Sequence, residues 1–124
     1  MSPEDLMHYY LNAFNEENLP ALEEIYHYPH TKITNGKPTH IENKTMPVID
    51  FDSLKKSSWK YSKINSVKAL AEGANSALVD MEFSRFDKSE KEYMRSTTFY
   101  VVTKSKGYRQ IISLNSIGTI AGIK

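Results

Sequence analysis

Apolar positions along the chain repeat first at helical spacing and then at strand spacing. Leu6, Tyr10, Ala13 and Phe14 fall at i, i+4, i+7 and i+8, with Asn12 and Glu16 off the stripe, which predicts an amphipathic helix. Its start is marked by Ser2 as cap, by Pro3 in the first turn, and by Glu4 and Asp5 against the positive end of the helix dipole. A second helix is predicted from Asn18, with Leu22, Ile25 and Tyr26 on one face, until Pro29 stops it. The stretch 26–36, YHYPHTKITNG, is then expected to turn the chain from helix to sheet. Pro29 biases Tyr28 toward extended geometry, and His30 leads into a short strand over 31–35 that Gly36 closes.

A polar connection with a short strand near 39–42 follows. Thr45, Met46 and Pro47 are expected to open a third helix running through Leu54, with Asp50 and Asp52 early and Lys55 and Lys56 late, the order that complements the dipole. From Trp59 onward the period becomes two. Segments 61–70, 77–86, 93–103 and 108–117 read as long strands separated by polar and glycine-containing turns, which implies an antiparallel meander. Val79, Met81 and Phe83 alternate with Asp80, Glu82 and Ser84, so one face is expected buried and the other wet. In the next strand Thr97, Phe99 and Val101 share a face while Tyr100 and Val102 occupy the other. Cover on both sides is expected there, and a dimer partner is one way to supply it.

Helices followed by a curved antiparallel sheet make an α+β arrangement. A chain of 124 residues, 40% hydrophobic and 25% charged, is the size of one domain, so 1–124 is expected to form a single unit. Sixteen Lys and Arg against fifteen Asp and Glu leave a formal charge of +1, which gives no global field for nucleic acid or an anionic membrane. The faint single-strand platform in WKYSK, Lys interleaved with aromatics, is discounted on the same ground. With no cysteine there is no disulfide framework, thiolate nucleophile or cysteine metal knuckle. The acidic N-terminus lacks the basic and apolar regions of a signal peptide, and no stretch approaches the ~20 apolar residues of a membrane span. A cytoplasmic location is expected.

The helix ending YHYPH, the KITNG strand, Trp59 at the start of the sheet, the hairpin FSRFDKSEKEYMRSTTFYVVTK and the final KGYRQIISLNS together resemble the nuclear transport factor two-like superfamily. The resemblance implies a cone-shaped fold, a cavity between the concave sheet face and the helices, and a homodimer through the outer face. Fold alone does not select a function, since this superfamily includes ketosteroid isomerase, scytalone dehydratase, polyketide cyclases and purely protein-binding members. Carried over by position, the isomerase's oxyanion-hole tyrosine falls on Tyr10, its general base on Asn35, and its protonated acid on Phe99. An amide cannot take up a proton at neutral pH and a phenyl ring cannot donate one, so steroid isomerisation by that route is not expected.

His27 and His30 are candidates for acid or base work because imidazole titrates near neutrality, if either faces inward beside Tyr10 or Tyr28, and scytalone dehydratase-like members use such pairs. The plainer alternative makes His27 a helix-end residue and His30 a surface one. A metal site from His27, His30 and His40 has no carboxylate placed to complete it, and neither metal nor cofactor is expected. Arg85 and Arg95 flank the 87–90 turn and are expected to project from one sheet face, where paired guanidinium groups suit a carboxylate or phosphate; a solvated or acid-paired role is the alternative. Trp59, Tyr61, Tyr93, Phe99 and Tyr108 are aromatics for either a cavity wall or a core. These readings lead to an internal pocket for a small apolar or weakly acidic molecule. Tyr10, His27, His30 and Asn35 are its candidate catalytic groups, and Tyr28, Trp59, Tyr61, Phe83, Arg85, Arg95 and Phe99 are its candidate ligand contacts. The alternative is an interaction module acting through the outer sheet face.

Overall fold

A computed structural model describes residues 1–44, 48–105 and 108–119, with 105 and 108–119 described through the backbone alone. The first helix, α1 (Pro3–Asn15), begins in a capping box: the Asp5 N–H donates to Ser2 Oγ at 3.0 Å, and the Ser2 N–H donates back to Asp5 Oδ2. Its buried face is Leu6, Met7, Tyr10, Leu11, Ala13 and Phe14, the predicted stripe widened by Met7 and Leu11. Asn18 caps α2 (Leu19–Ile25), as expected.

The helix-to-sheet transition comes earlier than Pro29. Strand β1 (Tyr26–Thr34) starts at Tyr26 and carries Pro29 inside it, with a cis Tyr28–Pro29 peptide. Pro29 sits within the interval 26–31 where the register with the neighbouring strand shifts, so its missing N–H interrupts no regular ladder. Asn35 and Gly36, both at positive φ, make the two-residue turn into β2 (Lys37–Ile41), the geometry that Asn-Gly favours. Helix α3 (Phe51–Lys56) is shorter than expected, because Asp50 accepts from the Ser53 N–H and caps it there; Thr45, Met46 and Pro47 lie outside the described residues.

Strands β3 (Tyr61–Glu72), β4 (Ser76–Phe86), β5 (Glu92–Ser105) and β6 (Tyr108–Thr119) form the antiparallel meander that the alternation predicts. All six strands join one sheet in the order β2-β1-β6-β5-β4-β3, with β1 parallel to β6. The sheet is therefore mixed, and the helices pack on one of its faces to give the α+β cone.

Cross-strand partners share a face, so the register fixes which side chains look inward. Ala77, Val79 and Met81 pair with Val102, Tyr100 and Thr98, all six buried, and they form the inner wall against α1. Phe99 pairs with Asp80 and is on the outer face. Two polar clamps hold α1 along β3. Asn15 donates to the Ser62 carbonyl and accepts from the Ser62 N–H, at 2.9 and 2.8 Å, and the Ala69 N–H donates to Glu4. Beneath them Trp59, 2% exposed, packs edge-on against Phe14 and beside Phe51, and its indole N–H donates to Ser62 Oγ. This aromatic floor closes one end of the cone.

Candidate functional site

Between α1 and the inner wall lies a cavity of about 110 Å³. Leu11, Phe14, Ile49, Met81 and Phe83 supply apolar wall, while Tyr10, Tyr26, Tyr100, Thr98, Ser62, Lys32 and Arg85 supply the polar groups. The volume is well below the ~300 Å³ of a drug-sized pocket and somewhat below the ~150 Å³ of a cavity that holds benzene. An occupant is limited to a short aliphatic chain or a single ring partly in the mouth.

Three buried tyrosines meet there, one each from α1, β1 and β5. The Tyr10 and Tyr26 hydroxyls are 2.9 Å apart, and the Tyr10 ring stands edge-on to Tyr26 and Tyr100 with centroids 5.9 and 6.0 Å away. Burial pushes the Tyr10 phenol up, opposed first by the hydrogen bond with Tyr26 and then by the Arg85 charge. Tyr26 and Tyr100 are held well above the ordinary phenol range, again chiefly by burial. All three stay protonated near neutrality and act as hydrogen-bond donors or acceptors.

Arg85 is largely buried on the same wall. Among the described residues its Nε has no partner in hydrogen-bond geometry, Nη1 meets the Met94 sulfur at 3.9 Å, and the guanidinium lies 5.6 Å from the Phe83 ring centroid. Opposite Arg85 the β4–β5 register jumps from Met94 to Glu92, a bulge that skips Tyr93. Burial lowers the Arg85 pKa, opposed first by the neighbouring Tyr93 hydroxyl, which is itself buried and close enough to favour the guanidinium but has no partner in regular hydrogen-bond geometry.

Of the expected catalytic residues, Tyr10 lines the cavity and the other three do not. His30 is buried behind it: the ring stacks on Tyr26 at 4.7 Å, and Nδ1–H donates to the His27 carbonyl, which fixes the proton on Nδ1 in the neutral ring. Burial lowers its pKa, opposed by that hydrogen bond, with Lys32, His27 and His40 reinforcing the drop. The surface role considered for His30 is therefore wrong. His27 Nδ1 lies 3.0 Å from the Pro29 carbonyl, and Asn35 is exposed at the hairpin turn.

Of the expected ligand contacts, Phe83 and Arg85 line the cavity. Trp59 is in the aromatic floor, and Tyr61 stacks on Phe86, centroids 4.9 Å apart, on the outer face. Tyr28 is half-buried below His30, with its hydroxyl unpartnered and its ring under Lys44. Phe99 and Arg95 are on the outer face, so the expectation that Arg85 and Arg95 share a face is corrected: Arg95 pairs across with Ser84, and Arg85 with Met94. Arg95 donates through Nε and Nη2 to both Glu92 oxygens at 2.9 Å, while Ser84 Oγ donates to Glu92 and accepts from Asn65. Tyr108 lies where only the backbone is described. Sequence reasoning did not single out Tyr26, Tyr100, Thr98 or Lys32. The available signal was the pairing of Tyr100 and Thr98 with Val79 and Met81, which depends on register rather than composition.

Among the described residues no His, Asp and Glu are grouped as a metal would need, and no helix is long and apolar enough to cross a membrane. The chain belongs to the family described as NTF2-like protein (DUF6841), whose model matches residues 3–119. None of the curated proteins matches it. Its fold is similar to that of a five-substitution variant of an Rd1NTF2 protein, with a TM-score of 0.71, 12% identity, and 92% of this chain and 95% of that one covered. It is also similar to an NTF-2 like protein of unknown function from Shewanella oneidensis MR-1 (TM-score 0.63, 19% identity, 90% and 93% covered). A ketosteroid isomerase-like protein from Erwinia carotovora atroseptica SCRI1043 matches with a TM-score of 0.60 and 17% identity, with 94% and 92% covered. Identities this low carry the fold and no activity.

Proposed function

We propose that this protein is a small-molecule-binding protein whose occupant sits in the cavity between α1 and the sheet, polar end against Tyr10, Tyr26 and Tyr100. The observation that carries the reading is the Tyr10–Tyr26 hydroxyl pair at 2.9 Å in a wall otherwise built from apolar side chains. Such a cluster offers donors and acceptors in a site of low polarity, where each hydrogen bond to a ligand counts for more than in water.

Binding is favoured over acid–base catalysis by what the wall contains. All fifteen acidic residues and all four histidines occupy described positions, and none of them lines the cavity. An isomerase, dehydratase or cyclase reaction needs a group that accepts a proton near neutrality, and a phenol held above its ordinary pKa does not. In a fragment screen by ligand-observed NMR, single-ring and short-chain molecules bearing one polar group are expected to bind and to lose affinity in Tyr10→Phe. Equal affinity of the variant for every hit would remove the tyrosine cluster from the site.

A second reading rests on the outer face. Leu78, 36% exposed, pairs with Val101 on that face and lines a shallow groove with Val101 and Ala71. Apolar side chains grouped this way favour a homodimer through the sheet. Sedimentation of the wild type and Leu78→Glu tests it, and a monomer in both would end it.

A further inference from the structure

We propose that the cavity takes the carboxylate of a small organic acid, with Arg85 as its counter-ion and the tyrosine hydroxyls as its hydrogen-bond donors. This rests on the binding reading above and narrows its ligand to one charge class. Arg85 joins none of the ion pairs among the described residues, and every acidic side chain in the sequence is among them. Among the described residues its buried Nε has no acceptor in hydrogen-bond geometry, and the groups beside the guanidinium, the Met94 sulfur and the Tyr93 hydroxyl, carry no countercharge.

A guanidinium withdrawn from water without a countercharge is costly, and such charges are found paired. A chain with fifteen acidic side chains places none of them here. No acidic side chain of the protein supplies the missing countercharge, and an anion entering the cavity would supply it. Lys32 adds a second cation to the wall, and no carboxylate there repels an incoming anion. Planar guanidinium and planar carboxylate match in geometry. Leu11, Phe14 and Met81 favour an apolar tail over a fully hydrated anion, and the cavity volume of about 110 Å³ limits that tail to a few carbons or one ring.

The test is calorimetric titration of the full chain with butyrate and benzoate, against butyramide and benzamide as neutral isosteres and inorganic phosphate as a hydrated anion. The carboxylates are expected to bind at least tenfold more tightly than the amides. Arg85→Met should abolish that preference and leave amide affinity within about twofold. Arg85→Lys, which keeps the charge and loses the fork, should retain part of it. Equal binding of acid and amide to the wild type overturns the carboxylate assignment while leaving the cavity a binding site, and so does a preference for phosphate. If no compound of either series binds, the binding reading falls with it. A melting transition in each variant establishes that it is folded.

Discussion

Two arginines on neighbouring strands of one hairpin have opposite surroundings. Arg95, on the outer face, meets Glu92 through two hydrogen bonds, and that carboxylate also receives Ser84. Arg85, on the inner face, is influenced by three tyrosines, and among the described residues its buried Nε has no hydrogen-bond partner and its charge joins no ion pair. The first charge is consumed by the fold: the Arg95 guanidinium and Ser84 hold Glu92 below the usual carboxylate range. The second is left over. A charge that the fold itself satisfies explains strand pairing, whereas an unsatisfied one in a cavity points to something from outside.

The sharpest way to break this comparison is Arg85→Met. The methionine keeps the apolar stem and removes a desolvated, unpaired charge, so the variant should be more stable than the wild type by about 1 kcal/mol or more in urea unfolding. A marked loss of stability instead would mean that Arg85 is matched by the fold after all. Tyr10→Phe comes next. It removes one hydroxyl from the pair with Tyr26 and leaves a buried phenol short of a partner, a loss of about 1 kcal/mol by the same measurement.

The pH dependence of stability separates His30 from both arginines. Its folded pKa lies below the ordinary value of about 6.5, so the unfolded chain takes up the proton first as pH falls. Stability from this site is complete above about pH 6.5 and declines as pH drops through and below it. His30→Asn should flatten that part of the profile, measured as thermal midpoint against pH, while Arg85→Met should leave it intact. The smallest effect is expected from Arg95→Met: a slightly lower midpoint, because Glu92 loses its ion partner, and no change in ligand affinity.

Much of the fold was legible in the sequence, because it depends on local period. Val79, Met81 and Phe83 alternate cleanly with polar neighbours, and the helix stripe of Leu6, Tyr10 and Phe14 recurs at helical spacing. The face assignment of β5 was not legible. Phe99 and Val101 alternate with Tyr100 and Val102, so both faces are apolar, and only the pairing with β4 shows that Tyr100 looks inward. The same non-local register separates Arg85 from Arg95. Tyr26 was read on a helix face because Pro29 is a strong helix stop; in the structure Tyr26 pairs with β6, and the proline lies inside the strand. The candidate site was therefore half visible: Tyr10, Phe83 and Arg85 were named, whereas the partners of Tyr10 depended on which strands come together.

The account is tested most directly by the thermal midpoint of wild type and Arg85→Met at rising benzoate concentration. A ligand that binds only the folded state raises the midpoint in step with its concentration. The wild-type midpoint should climb with benzoate, and the variant should start higher and climb no more with benzoate than with benzamide. A wild-type midpoint unmoved by benzoate, together with a variant that melts lower, would contradict the claim that Arg85 is a charge awaiting its partner.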